Sequence, residues 1–512
     1  MKLMKNLVIS VPRLEIHRPP ISTAIVAEVI RAHGHSVEAL DLNCEFYHFL
    51  ANRQTYYDYD QIWDQERKAT LSELKNIVRF IKKHLTKISK YDRIWISVFG
   101  SSGHVFSELL LKLIKKNLKD KQVILGGQGV QANLLGDMKG GFGHRMKEKA
   151  LCDLYLVGEG ESVITKVLDG ISQGPGINDE NPIQINDINL LPYPNYSFYD
   201  LDRYDYLTES KEVFITGSRG CVRRCTYCDV ARYWPKFRFR SGQNIADEMI
   251  QHYERHGISK FYFTDSLING SMKAFNDMCE TLAKYNLDHK AGFSWKGQFI
   301  FRPKNQLPKD HFATVSAAGG REFYVGVETG SDKIRWEMDK KFTNDDIDYQ
   351  LEEFNKHGIN VFFLMLIGYV TETLDDHHDT LAMFPRWQKY VATGTIKGID
   401  LATGLTFMPG TPLERQIDEH GVYFLSRESS QKKSKIMNTI LWQSKNNPSL
   451  DVAERIRRRI ETHEEAIKHN WPIWRGEQRL NVIKLMAQDY LKFLKGQNMP
   501  VKNKIGNLNF FE

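Results

Sequence analysis

The sequence predicts an α/β protein in three parts: an N-terminal open parallel sheet of the Rossmann type, a partial (β/α)6 barrel of the TIM type, and a helical C-terminal region. Three observations predict this. Short apolar, β-branched runs alternate with amphipathic 3.6-residue patterns over residues 1–170, and do so again over 211–425. Residues 171–210, between the two series, are rich in Gly, Pro, Asn and Asp, which is linker chemistry. From 426 to 512 the periodicity is helical, with no strand signal.

In the first series, residues 7–11 read as a strand, 22–33 as a helix closed by Gly34, and 36–42 as the strand completing a βαβ unit. A polar, aromatic-rich helical insertion over 56–90 interrupts the alternation. It resumes with strand 93–98, helix 105–118, strand 122–125, strand 154–157 and a short helix through Val167. A sheet of this kind binds ligands at the carboxyl ends of its strands. The second series runs strand 213–216, helix 244–256, strand 261–264, helix 272–285, strand 292–295, strand 323–327, helix 344–357, strand 361–367, helix 375–390 and strand 399–406. Six strands fit a partial barrel, whose chemistry belongs on the loops after the strands.

Composition narrows the function classes. Seventy Lys and Arg against 63 Asp and Glu leave +7 over 512 residues, too dilute to indicate nucleic acid. No apolar run approaches the roughly 18 residues needed to cross a bilayer, and the N-terminus lacks a signal h-region and cleavage site, so a cytoplasmic protein is expected. Six cysteines in so long a chain form no disulfide framework; Cys44, Cys152 and Cys279 read as buried structural thiols.

The other three, Cys221, Cys225 and Cys228, fall within eight residues directly after the first strand of the second series. Thiolates are soft donors that suit zinc or iron–sulfur clusters. Structural zinc takes four protein ligands and no fourth follows locally, so a [4Fe-4S] cluster with three cysteines and one open iron is the better fit. Neighbouring Arg219, Arg223 and Arg224 are expected to lower the thiol pKa values.

This CxxxCxxC loop, with the aromatic Tyr227 before its last cysteine, resembles the hallmark of the radical S-adenosylmethionine (SAM) superfamily. The resemblance implies that the three cysteines hold the cluster, that the open iron binds the amino and carboxylate groups of SAM, and that reductive cleavage yields a 5′-deoxyadenosyl radical that takes a substrate hydrogen. The segment Gly326-Val-Glu328-Thr-Gly330-Ser331, followed by Met338-Asp-Lys340-Lys-Phe-Thr343, is similar to the family's fourth-strand segment, which implies SAM contacts for Glu328 and Ser331; the bland reading of Glu328 is a salt bridge in the barrel mouth. Gly368 to Thr373 resembles the fifth-strand motif that lies against adenine, although Val370-Thr371 stands where relatives have Pro-Gly; Glu372 is either a site residue or a helix N-terminal charge. Asp265 and Ser266 stand where some members carry a Gly-Gly-Glu segment; Asp265 could meet the SAM ammonium or cap the following helix. Lys296 and Gln298 could reach SAM carboxylate or substrate, and Phe407 to Pro412 completes the pattern after strand six.

Ahead of the barrel, Pro19-Pro20, Gly34, Gly126-Gly127 and Gly158-Glu159-Gly160 resemble the cobalamin-binding domain fused to many radical SAM barrels. The Asp-x-His-x-x-Gly motif that ligates cobalt is absent, His17 and His104 lack its spacing, and the usual Gly-Gly-Pro-His turn is Gly126-Gly-Gln-Gly129. The resemblance therefore implies cobalamin bound without a protein histidine on cobalt. At the C-terminus, residues 452–469 read as a helix with a solvated charged face; Arg455, Arg457, Arg458 and Arg459 with Trp471 and Trp474 form an alternative anion-binding patch.

Three functions follow. The first is a radical SAM transferase that uses cobalamin to methylate an unactivated carbon of a small-molecule or peptide substrate, with flavodoxin or ferredoxin as electron donor. The second is a radical SAM oxidoreductase, cyclase or rearrangement enzyme with a vestigial cobalamin domain. The third is a non-catalytic metal-binding protein.

Overall fold

The computed structural model describes residues 4–131, 140–425 and 441–476, then 480, 481, 483, 484, 487, 488, 490, 491, 494, 504, 505, 508 and 509. The first sheet has five parallel strands, β1 (Lys5–Ser10), β2 (Ser36–Asp41), β3 (Arg93–Ser97), β4 (Gln122–Gly126) and β5 (Leu154–Tyr155), in the order β2-β1-β3-β4-β5. Parallel strands need helical crossovers, which cover both faces and force nearly every strand position to be apolar. The segment NLVIS shows the result: Leu7 and Ile9 enter one core with Ile94 and Ile96, while Val8 enters the other with Trp95 and Ile124. The insertion read from its aromatics is a 3-10 turn (Arg53–Tyr59), a short helix (Asp60–Trp63) and a long helix (Leu71–Ile88). Its Trp63 and Phe80 pack edge-on around Phe46, and each such ring stabilises by about 2–3 kcal/mol on leaving water.

The stretch read as a linker is ordered by Asx turns at Asp187, Asn195 and Asp200, and the hydroxyl of buried Tyr196 donates to Phe214 O at 2.6 Å. The second sheet contains β6 (Glu212–Ile215); a two-residue hairpin, β7 (Ser218–Arg219) with β8 (Arg238–Phe239), follows; then β9 (Lys260–Phe263), β10 (Ser294–Phe299), β11 (Gly320–Glu328), β12 (Asn360–Ile367) and β13 (Ile396–Gly404). Its order is β6-β9-β10-β11-β12-β13, each strand beside the next in sequence, as a partial barrel requires. The compact units are residues Met1–Ile215 with Glu248–Tyr262, and Thr216–Asp247 with Phe263–Glu512.

Among the elements that differ from the sequence reading, two lie in the second series. The third barrel strand lies at Ser294–Phe299 rather than 292–295, because Trp295, Gly297 and Phe299 alternate inward over that stretch. A helix, His311–Ala317, occupies the connection that showed no helical signal. The C-terminal region is not purely helical either: β14 (Val422–Phe424) pairs antiparallel with β15 (Trp442–Ser444), while 426–440 lies outside the described residues. No helix among the described residues is long and apolar enough to cross a membrane.

Helix Val452–Lys468 corrects the expectation of a solvated face, for Arg455, Arg458 and Arg459 are all buried. Arg455 stacks 3.6 Å from the Trp442 ring centroid and donates to Leu450 O and Trp442 O. Arg458 pairs with Glu372 at 2.9 Å, both almost fully buried, and also with Glu454 one turn earlier. Trp471 is buried against Phe384, so the anion-binding patch does not form a surface. Periodicity sees only a residue's own helix; the carboxylate that draws Arg458 inward lies 86 residues away. Arg458→Met leaves Glu372 buried and unpaired, and is expected to lower unfolding free energy in urea by about 3–5 kcal/mol. Adding Glu372→Gln should restore at least half of that loss.

Candidate functional site

The cysteine loop leaves the sheet at Gly217 and turns at Gly220, whose φ of 86° and 2.9 Å clearance to Lys236 O exclude a side chain. It is then pinned by its backbone. Thr226 N donates to Met338 O at 3.3 Å, Leu413 N donates to Thr226 O at 2.8 Å, and the Thr226 hydroxyl meets the Tyr369 hydroxyl at 2.8 Å. The turn at Phe407 to Pro412 therefore acts by presenting the Leu413 amide to the loop.

All three thiols are free and half-buried. Burial pushes each pKa up, Cys225 to about 11, against the lowering pull of Lys340 on all three and of Arg223 and Arg224 on Cys221. The expected net lowering is corrected here: loss of water outweighs the basic neighbours. Among the described residues no three His, Cys, Asp or Glu side chains gather as around a single metal ion. In a four-iron cluster each thiolate takes its own iron, so the three need not meet at one point. The donor set of three thiols on one anchored loop fits a [4Fe-4S] cluster.

Beside the loop, Glu328 ends β11 with φ 69° and accepts from the Tyr227 hydroxyl at 2.7 Å. Its Oε1 also lies 2.6 Å from Lys340 Nζ, which donates onward to Gly326 O at 3.1 Å. A Cβ on Gly326 would stand 2.3 Å from Glu328 Oε1 and 2.6 Å from Lys340 Nζ, so glycine is what makes room for the pair. Asp339 and Lys341, flanking Lys340, are also left-handed, and three such non-glycine residues cost on the order of 1 kcal/mol each. Burial pulls the Lys340 pKa down, yet Glu328 holds it above the ordinary lysine value.

Asp265, fully buried, accepts from Gly217 N at 2.9 Å and Ser218 Oγ at 2.5 Å, so it braces the start of the loop and does not cap the next helix, whose N-cap is Ser271. Burial raises its pKa to about 6. Ser266 follows it, half-buried. Ser331 is turned inward, capping helix Asp332–Glu337 and donating to Asp376 at 2.7 Å. Glu372 accepts from Gly368 N at 3.1 Å and pairs with Arg458, fixing the Gly368 turn; the Arg455 stem lies 3.1 Å from where a Gly368 Cβ would stand. Lys296 and Gln298 share the half-buried face of β10. The sequence reading assigned no part to Lys340 or Tyr369, and placed Arg458 in a surface patch rather than beside Glu372. The only sequence signal for Lys340 was its place in the segment after β11.

In the first unit, Gly126 and Gly127 sit at the end of β4, with nothing within 4 Å of a Cβ on Gly126. Phe99, beyond β3, is 61% exposed, whereas a Cβ on Gly127 would stand 2.5 Å from Val98 O, so Gly126 is the open position of the pair. Gly158 does otherwise: it bridges to Ile183, 2.3 Å from its Cβ position, and Glu159 accepts from Ile185 N at 2.6 Å, with Gly160 capping helix Glu161–Leu168. His104 Nε2 meets Gly129 O at 2.8 Å with its ring stacked on Phe142, and His17 Nδ1 meets Asp205 O.

Residues 215–384 match the Radical SAM superfamily. The anaerobic magnesium-protoporphyrin IX monomethyl ester cyclase of Rubrivivax gelatinosus is 23% identical over 281 residues, 51% of this chain and 50% of that one. The cytidylyl-2-hydroxyethylphosphonate methyltransferase of Streptomyces wedmorensis is 23% identical over 211 residues, 38% of each chain. The chain thus spans half or less of the length of these two relatives. Among solved structures, the radical S-adenosylmethionine methyltransferase TsrM from Kitasatospora setae, with cobalamin and a [4Fe-4S] cluster bound, has the same fold: TM-score 0.59 at 15% identity, over 91% of this chain and 89% of that one.

Asp265 gives the site a pH signature. Its folded pKa lies above the unfolded 3.8, so its contribution to stability is full below that value and lost as pH rises through about 6. The difference in unfolding free energy between wild type and Asp265→Asn is expected to fall by about 3 kcal/mol from pH 3.5 to 7.

Proposed function

We propose that this chain, which carries a radical SAM domain at residues 215–384, is a cobalamin-dependent enzyme that methylates an unactivated carbon. The observation that carries the reading is the anchored loop of Cys221, Cys225 and Cys228 beside the carboxyl end of β11. A [4Fe-4S] cluster there would supply one electron to the SAM sulfonium, giving methionine and a 5′-deoxyadenosyl radical, and cobalamin would supply a methyl carrier.

The chain's own residues do the rest. Cys221, Cys225 and Cys228 would hold the cluster, three thiolates for four irons. The bonds from Met338, Tyr369 and Leu413 to Thr226 set the thiols in place beforehand, so metal binding orders little additional chain. Asp265 holds Gly217 and Ser218, the entry to the loop. The Arg458–Glu372 pair fixes the Gly368 turn, the backbone expected to lie against adenine, and the missing Cβ leaves room for the Arg455 stem. The open edge at Phe99 and Gly126 supports corrinoid binding in the first unit, and the bonded rings of His17 and His104 support binding without histidine on cobalt. A flavodoxin or ferredoxin is the expected electron donor.

Protein expressed with cobalamin and reconstituted anaerobically should show a corrinoid spectrum and the broad visible absorbance of iron–sulfur charge transfer, the latter lost in Cys225→Ala. With SAM, substrate and a low-potential reductant it should form S-adenosylhomocysteine and 5′-deoxyadenosine together, with label from the SAM methyl in the product. A full cluster in Cys225→Ala overturns the ligand assignment. 5′-Deoxyadenosine without S-adenosylhomocysteine overturns methylation in favour of an oxidoreductase or cyclase.

A further inference from the structure

We propose that Lys340 is a positioning residue for electron transfer: its buried ammonium, locked between Glu328 and the Tyr227 ring, is the positive charge that makes a cluster on Cys221, Cys225 and Cys228 easier to reduce. The inference rests on the reading above that these thiols hold a [4Fe-4S] cluster.

Geometry carries it. Lys340 Nζ stands 2.6 Å from Glu328 Oε1 and 5.9 Å from the centroid of Tyr227, the residue between Cys225 and Cys228. The Tyr227 hydroxyl binds the same carboxylate, and the preceding Thr226 amide binds Met338 O, two residues before Lys340. The lysine is thus tied to the cysteine loop through its side chain and its backbone. Gly326 clears the space for its tip, and the left-handed residues Glu328, Asp339 and Lys341 hold an otherwise disfavoured backbone around it. An exposed surface lysine would need none of this.

Electrostatics gives the arrangement a purpose. The side chain of Lys340 is about nine-tenths buried, so its charge is weakly screened. Lys340 pulls on all three thiols and its Nζ faces the Tyr227 ring between Cys225 and Cys228, while Glu328 opposes it at Cys225. One-electron reduction by a low-potential donor adds one negative charge, with no bond formed or broken and no proton moved. Lys340 offsets that charge, and local charge is one of the levers that set cluster potentials.

The test is a potentiometric titration, followed by electron paramagnetic resonance, of the anaerobically reconstituted full chain without SAM. At the wild-type midpoint, Lys340→Met is expected to shift the reduced-to-oxidised ratio at least tenfold toward oxidised, which is 59 mV for one electron. Glu328→Gln should shift it the opposite way, and Lys340→Arg should stay near wild type, all at equal iron content. A merely structural lysine would move Lys340→Met and Glu328→Gln in the same direction or neither, and either result overturns the proposal. If Lys340→Met does not fold, Glu328→Gln decides, and an unshifted or lowered midpoint there overturns it. Wild-type protein that assembles no four-iron cluster overturns the underlying reading instead, and is recognised because there is no midpoint to measure.

Discussion

A carboxylate withdrawn from water at the mouth of a parallel sheet has to be answered by a partner, because an unpaired buried charge costs several kcal/mol. Three acids stand in that position here, each answered from a different source. Asp265 is met by the Gly217 amide and the Ser218 hydroxyl, Glu328 by Lys340 and Tyr227, and Glu372 by Arg458 and the Gly368 amide. The first and second of these brace the cysteine loop at both ends. The third fastens the C-terminal helix Val452–Lys468 to the end of β12.

The loop so braced is electrostatically opposed to its own ionisation. Burial raises all three thiols, so nothing in the metal-free chain stores them as thiolates. A soft metal must displace the protons, and the rigid backbone around Thr226 lowers the ordering cost when it does. Preorganisation here comes from hydrogen bonds, while charge compensation falls mainly to one buried lysine.

Glycines of the first unit that follow parallel strands are used differently, and the difference bears on function. Gly126 faces open space at a strand end, whereas Gly158 is pressed against Ile183. Both read alike in the sequence, as glycines after parallel strands. Only the path of the following chain separates a ligand edge from a structural contact.

By itself the sequence determined the α/β alternation, the two parallel sheets and the ligand triplet, because each is local: strand runs apolar on both faces, helices capped by Thr343 and Thr373, and three cysteines within one turn of loop. Residue periodicity could not place β10, where a glycine occupies an inward position, nor anticipate β15 and the buried arginines of the last helix. Tertiary structure alone decided the partners: that Arg458 turns inward to Glu372, that Lys340 rather than an arginine of the loop is the principal cation acting on the thiols, and that Ser331 donates to Asp376. The physical reason is that a charge's burial depends on a second charge from elsewhere in the chain, and a linear pattern carries no record of which distant residue will stand within hydrogen-bond reach.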